Sequence, residues 1–208
     1  MKQVLQRSIG SRLEVLMRKM IVTRESPILQ PLRELIEEQK HRTLVMWALE
    51  CGKGILPIFE TKYPDDKRPR EALRAARLWA HGDIKMPIAK KAAHASHNAA
   101  TEVIDESPSA GAAARAMGHI VGAVHVETHA IGVACYGITA FVYDLPSEEP
   151  DAVIEKIVAC MYDRLKYWER QIEKLDKEGT RWAPFLLRDE VPNKEKMLRE
   201  KNKTPKAI

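Results

Sequence analysis

The 208-residue sequence predicts an all-α fold, a single-domain bundle of about six helices around a central Gly/Ala-rich helix. Three observations predict it. Apolar residues recur at steps of three and four along most of the chain, the spacing of one helix face. β-Branched runs alternating with polar residues, as half-buried strands require, are missing. Hydrophobic residues make up 45% of the chain, enough to bury a sizeable core at this length.

The first predicted helix covers about 2–22, where Leu5, Ile9, Leu13, Leu16, Met17 and Met20 form one apolar stripe. Residues 1–24 carry Lys2, Arg7, Arg12, Arg18, Lys19 and Arg24 against the single acid Glu14, so this unit reads as a basic amphipathic helix packed on or beside the body. A place on a membrane surface is the alternative. The helical domain proper is expected over 25–178.

The second helix is predicted over about 28–51, with Pro27 and Pro31 near its start. A loop is expected to follow through Gly52, Gly54, Pro57 and Pro64, with a short helical turn at 55–60. The third helix, about 67–81, has Asp65 and Asp66 just before it and Pro69 in its first turn, the places those residues favour, and Gly82 as its stop. The fourth, about 84–104, is rich in alanine, the best helix former. Pro108 then breaks the chain.

The fifth helix is predicted as one long element, about 109–143. From Ala116 to Tyr143 its only formal charge is Glu127. That length could span a bilayer. Three histidines and a glutamate at mid-depth would be costly in lipid, so a central helix surrounded by others is expected, with no membrane span. Gly111, Ala114, Gly118, Gly122, His125, His129, Gly132 and Tyr136 lie on one stripe of it. Glycine costs about 1 kcal/mol relative to alanine in a helix. Close approach of the fourth helix is expected to offset that cost. The sixth helix, about 148–177, has a seam of Ile154, Val158, Met161, Leu165, Trp168, Ile172 and Leu175, and Gly179 stops it. Residues 179–208 read as a polar tail, with Trp182, Phe185, Leu186 and Leu187 able to dock on the body and disorder expected after Asn193.

The formal net charge is +5, and its excess sits at the two ends of the chain. That permits an acidic partner or nucleic acid without requiring either. Cys51, Cys135 and Cys160 are too few and too widely spaced for a disulfide framework or a zinc ribbon, which places the chain in a reducing cytoplasm. Self-association into a homo-oligomer is left open.

Two constellations could carry chemistry. The run Asp65-Asp66-Lys67-Arg68-Pro69-Arg70 opens a helix, and Arg70, Arg74, Arg77 and His81 continue along one face. Arg68 and Arg70 can form forked bonds to a carboxylate or phosphate, which makes an anion- or partner-binding strip. A capped helix start with internal salt bridges accounts for the same residues. The second constellation is histidine: His94, His97, His119, His125 and His129 all lie in the fourth and fifth helices. His125 and His129 are four apart and share a face of a continuous helix. With His94 or His97 they could ligate a metal, although His125-Val126-Glu127-Thr128-His129 is not the H-E-x-x-H pattern of zinc hydrolases. Arg115 and Glu127, the lone charges of the fifth helix, need internal partners if buried, with Asp66 or Arg68 as candidates. No phosphate loop or nucleophile elbow is present. Cys51, beside Gly52 and Gly54, is the one candidate thiol nucleophile.

The segments Trp47 to Cys51, Leu56-Pro57-Ile58-Phe59-Glu60, Asp66-Lys67-Arg68-Pro69-Arg70-Glu71-Ala72, Trp79-Ala80-His81-Gly82-Asp83-Ile84, Ala114-Arg115-Ala116-Met117-Gly118-His119 and His125-Val126-Glu127-Thr128-His129-Ala130 together resemble the immunity proteins encoded near bacterial polymorphic toxins. The likeness covers about 41–143. It implies an all-α domain that binds and neutralises a protein toxin without catalysis. It carries over no catalytic residues, no cofactor and no metal. The binding residues expected on this reading are Asp66, Arg68, Arg70, Arg115, His125 and His129. Two rival readings are a metal-dependent helical enzyme built on His94, His97, His125 and His129, and a basic nucleic-acid-binding module.

Overall fold

A computed structural model describes residues 20–203. The expected N-terminal helix over 2–22 lies almost wholly outside the described residues. Within them the chain is all-helical, with no strand. Eight α-helices occur among the described residues: α1 (Gln30–Glu37), α2 (His41–Glu60), α3 (Arg68–Ala80), α4 (Met86–Val103), α5 (Pro108–His125), α6 (Ala130–Asp144), α7 (Pro150–Lys177) and α8 (Lys194–Lys203). No helix among the described residues is long and apolar enough to cross a membrane.

Three predicted helices correspond to α3, α4 and α7 with small shifts at their ends, and two of their stops are as expected. Gly82 and Gly179 take φ of +78° and +79°, the left-handed conformation that glycine adopts without a Cβ penalty. The predicted loop after residue 51 is instead helix: α2 runs straight through Gly52, Gly54 and Pro57. Burial of Ile55, Leu56, Ile58 and Phe59 outweighs the local breakers. A Cβ at Gly52 would press on the terminal methyls of Ile120 and Leu73, flexible side-chain ends that can shift.

The long fifth helix is two. α5 ends at His125, Val126 is extended (φ −156°, ψ 138°), and a 3₁₀ turn over Glu127–His129 leads into α6. The two helices fold back on each other as an antiparallel pair. Within that pair His129 covers Gly122 and His119 covers Gly132. α5 is the most enclosed element, flanked by α2, α3, α4 and α6, and Ala110, Ala113, Ala114, Ala116, Met117 and Ile120 are all fully buried on it. α4 approaches closely enough for the buried Ser96 hydroxyl to donate to the Ala114 carbonyl at 2.8 Å.

The C-terminal part is tied to the body by buried polar groups. Arg42, at the start of α2, donates to the Leu186 carbonyl, to both oxygens of Asp189 (2.7 and 3.0 Å) and to Asp176 (2.9 Å). Trp182 donates to the other Asp176 oxygen. The Ala183 N–H bonds the Ala80 carbonyl at the end of α3. The segment after Asn193 forms α8 and packs on α1. Asn193 Oδ1 accepts from the Glu195 N–H, as an N-cap does, while its amide donates to the Ile36 and Gln39 carbonyls. Glu195 is wholly buried and held by Arg24 and by Arg33 at 2.9 Å. Arg199 reaches Glu37 at 2.8 Å.

Candidate functional site

The Asp66–Arg70 segment opens α3. Asp66 Oδ1 accepts from the Arg68 backbone N–H at 3.0 Å, one of the free donors at the helix start, while the N-cap position itself falls to Lys67. The Arg68 guanidinium is forked between Asp66 and Glu102 of α4, and the Arg68 bond holds the Asp66 carboxyl below its ordinary range. Arg68 and Asp66 therefore staple α3 to α4. They do not meet Arg115 or Glu127, and the single polar network expected to join loop and central helix does not form. Arg115 donates to Thr101 at 2.9 Å, and Glu127 faces His41.

Arg70 points the other way, across to Glu60 of α2. It borders an open groove of about 410 Å³ between α2 and α3. Leu56, Pro57 and Leu73 give the groove an apolar floor. Lys53, Arg70, Arg74 and Arg77 stand along it, with Glu60 and Glu71 as its acids. Arg74 pairs with Glu71, whereas Lys53 and Arg77 have no hydrogen-bonded or ionic partner among the described residues. Four bases against two acids leave the groove cationic. Of the residues expected to bind, Arg70 alone lies here. Arg74 and Arg77 were legible as its helical neighbours. Lys53 was hidden because its stretch read as loop.

The histidines are rearranged by the break at Val126. His125 and His129 do not share a face, as they would on a continuous helix. His125 is exposed at the end of α5 and stacks on Trp79, ring centroids 5.9 Å apart. His129 turns inward against His119, with the two Nδ1 atoms 3.3 Å apart. His97 of α4 stands edge-on to His119 at 5.8 Å, and Tyr136 tilts against it at 4.9 Å. Each of the three inward rings rests on a glycine: His97 on Gly118, His129 on Gly122 and His119 on Gly132. Gly118, Gly122 and Gly132 of the stripe thus admit imidazole rings, whereas Gly111 lies against the Ile104 backbone at the end of α4, the close approach expected of the fourth helix. Burial lowers the pKa of all three, with the other histidines and Arg115 or Arg24 adding to it, and His119 falls to about 3. The rings are neutral at physiological pH.

His94 is exposed on α4, so the metal-ligand set His94, His97, His125 and His129 is not assembled. Among the described residues no group of three or more His, Cys, Asp or Glu side chains is arranged to hold a metal ion. All three cysteines are free. Burial raises the pKa of the Cys51 thiol, and that of Cys135 to about 12, the opposite of what an activated nucleophile needs.

No curated protein and no solved structure matches the chain. A family model described as Imm-5 like putative immunity protein matches residues 34–174, from the middle of α1 to the last turn of α7. That span includes the α2–α3 groove, the Asp66–Arg68–Glu102 staple and the whole histidine stack, about two thirds of the 208 residues. The chain belongs to the Imm-5 like putative immunity protein family.

Proposed function

We propose that this protein binds a cognate toxin through the α2–α3 groove and neutralises it by occlusion, without catalysis, in the cytoplasm of a bacterium. The observation that carries the reading is the groove itself: an apolar floor bordered by Lys53, Arg70, Arg74 and Arg77 on two rigid helices of the family-matched span. An apolar centre with a charged rim is the anatomy of a specific protein interface, and the charge steers and selects the partner. The sign of that charge calls for a partner surface carrying carboxylates. Asp66, Arg68, Arg115 and His129 then act behind this surface, holding α3, α4, α5 and the turn before α6 in place.

The test is calorimetric titration of the protein with the toxin encoded by the adjoining gene. Arg70→Ala and Arg77→Ala each weaken binding and leave the melting temperature unchanged. Wild-type affinity in both variants removes the groove from the interface. Salt-sensitive binding to duplex DNA, lost in the same variants, would favour the nucleic-acid reading instead.

A further inference from the structure

A second cleft lies away from the groove. It holds about 500 Å³ between the start of α2, the break between α5 and α6, and the segment from Phe185 to Glu200. His41 at the start of α2 meets His125 and Glu127, from the break between α5 and α6, on its wall. Glu127 is the sole charge in the 28 residues from Ala116 to Tyr143, and the 3₁₀ turn puts it here.

Its carboxylate is short of donors. The Glu127 side chain is 9% exposed, and Oε2 is buried with no hydrogen-bond partner among the described residues. Its ion-pair contact within 4 Å among the described residues is with His41, whose Nδ1 is 3.5 Å from Oε1. His41 Nε2 sits 2.7 Å from the Ala123 carbonyl. A carbonyl only accepts, so the proton of a neutral His41 is on Nε2. Nδ1 then turns a lone pair toward the carboxylate, and neither Glu127 oxygen receives a proton from it. Burial lowers the pKa of His41, which favours that neutral form. Lys194 also lines the cleft but forms no ion pair with Glu127 among the described residues. A carboxylate withdrawn from water without donors is costly unless something supplies them.

We propose that this cleft is a binding site for a small organic cation with N–H donors, a guanidinium or alkylammonium compound, whose head bonds Glu127. The flat fork of a guanidinium matches the two carboxylate oxygens. Phe185, Val191 and Met197 line the cleft and suit an aliphatic stem. The site does not depend on toxin binding, so failure of either proposal leaves the other standing.

Calorimetric titration of the full chain with agmatine tests it, with tetramethylammonium as a cation that lacks N–H donors. Saturable one-to-one binding of agmatine and none of tetramethylammonium is expected. Glu127→Gln binds agmatine about tenfold more weakly or worse, the loss that follows removal of a charge-assisted hydrogen bond. Lys194→Ala, which removes a competing cation from the wall, binds it at least as tightly. Should Glu127→Gln fail to fold, Met197→Arg serves in its place. Met197 is 51% exposed, and an arginine there sets a guanidinium at the mouth and blocks the probe. No agmatine binding by the wild type at millimolar concentration overturns the proposal. So does equal binding of tetramethylammonium, undiminished binding by Glu127→Gln or Met197→Arg, or weaker binding by Lys194→Ala.

Discussion

At the scale of single residues, the unusual chemistry lies in imidazole rings seated on glycines. A methyl group at Gly118 would overlap the His97 ring, so that ring, which meets His119 edge-on, has to shift. Gly118→Ala therefore costs about 1–2 kcal/mol, although alanine is the better helix former by about 1 kcal/mol. Urea unfolding of the two proteins measures the difference. The same packing sets a pH dependence. His119 has a pKa of about 3 when folded, against an ordinary value of 6.5. Between these values the unfolded chain binds a proton that the folded chain refuses. Stability is thus insensitive to His119 above pH 6.5 and falls as pH drops from 6.5 toward 3, by roughly 1.4 kcal/mol per pH unit for this one group. His97 and His129, also lowered, add slope in the same direction. His119→Gln has a visibly shallower loss between pH 6 and 4. An unchanged slope would mean that His119 is not the neutral group described.

At the scale of elements, the sequence was most legible where periodicity and punctuation agreed. The four-and-three seam of α7 ends at Gly179, and α3 opens on Asp66-Lys67-Arg68-Pro69 and ends at Gly82. It was least legible where tertiary contacts override local preference. Gly52, Gly54 and Pro57 read as a loop, yet α2 continues because its flanking residues bury against α5 and α6. Conversely, nothing local marks the break at Val126, which has no proline or glycine beside it. Its cause is the fold-back that seats His129 on Gly122. That break explains why His125 and His129 could not be placed from spacing alone, and why His119, counted among the five histidines, was left out of the proposed ligand set. Gly54 separates the two kinds of helical glycine. Gly54→Ala, with open space at the Cβ position, stabilises the free protein by about 1 kcal/mol, in contrast to Gly118→Ala. The melting temperature checks it.

At the scale of the whole molecule, the two ends of the described chain close on one buried carboxylate. Glu195 holds Arg24 and Arg33 and so fastens α8 to α1 and to the segment before it. Glu195→Ala leaves Arg33 and Arg24 short of an acceptor. It costs on the order of 3 kcal/mol and frees α8 to early proteolysis. The sequence placed Trp182 and Leu186 on the body correctly but gave no sign of this anchor, because an isolated glutamate in a Lys/Glu-rich tail looks like any solvated residue. The clamp and the histidine stack shape the scaffold. The groove between α2 and α3 presents the surface by which the protein is proposed to meet its toxin, and a charge reversal there tests that most directly. Cells expressing the toxin from the adjoining gene are rescued by the wild-type protein, and the Arg74→Glu/Arg77→Glu double variant, folded and equally abundant, fails to rescue them. Full rescue by that variant would contradict the account.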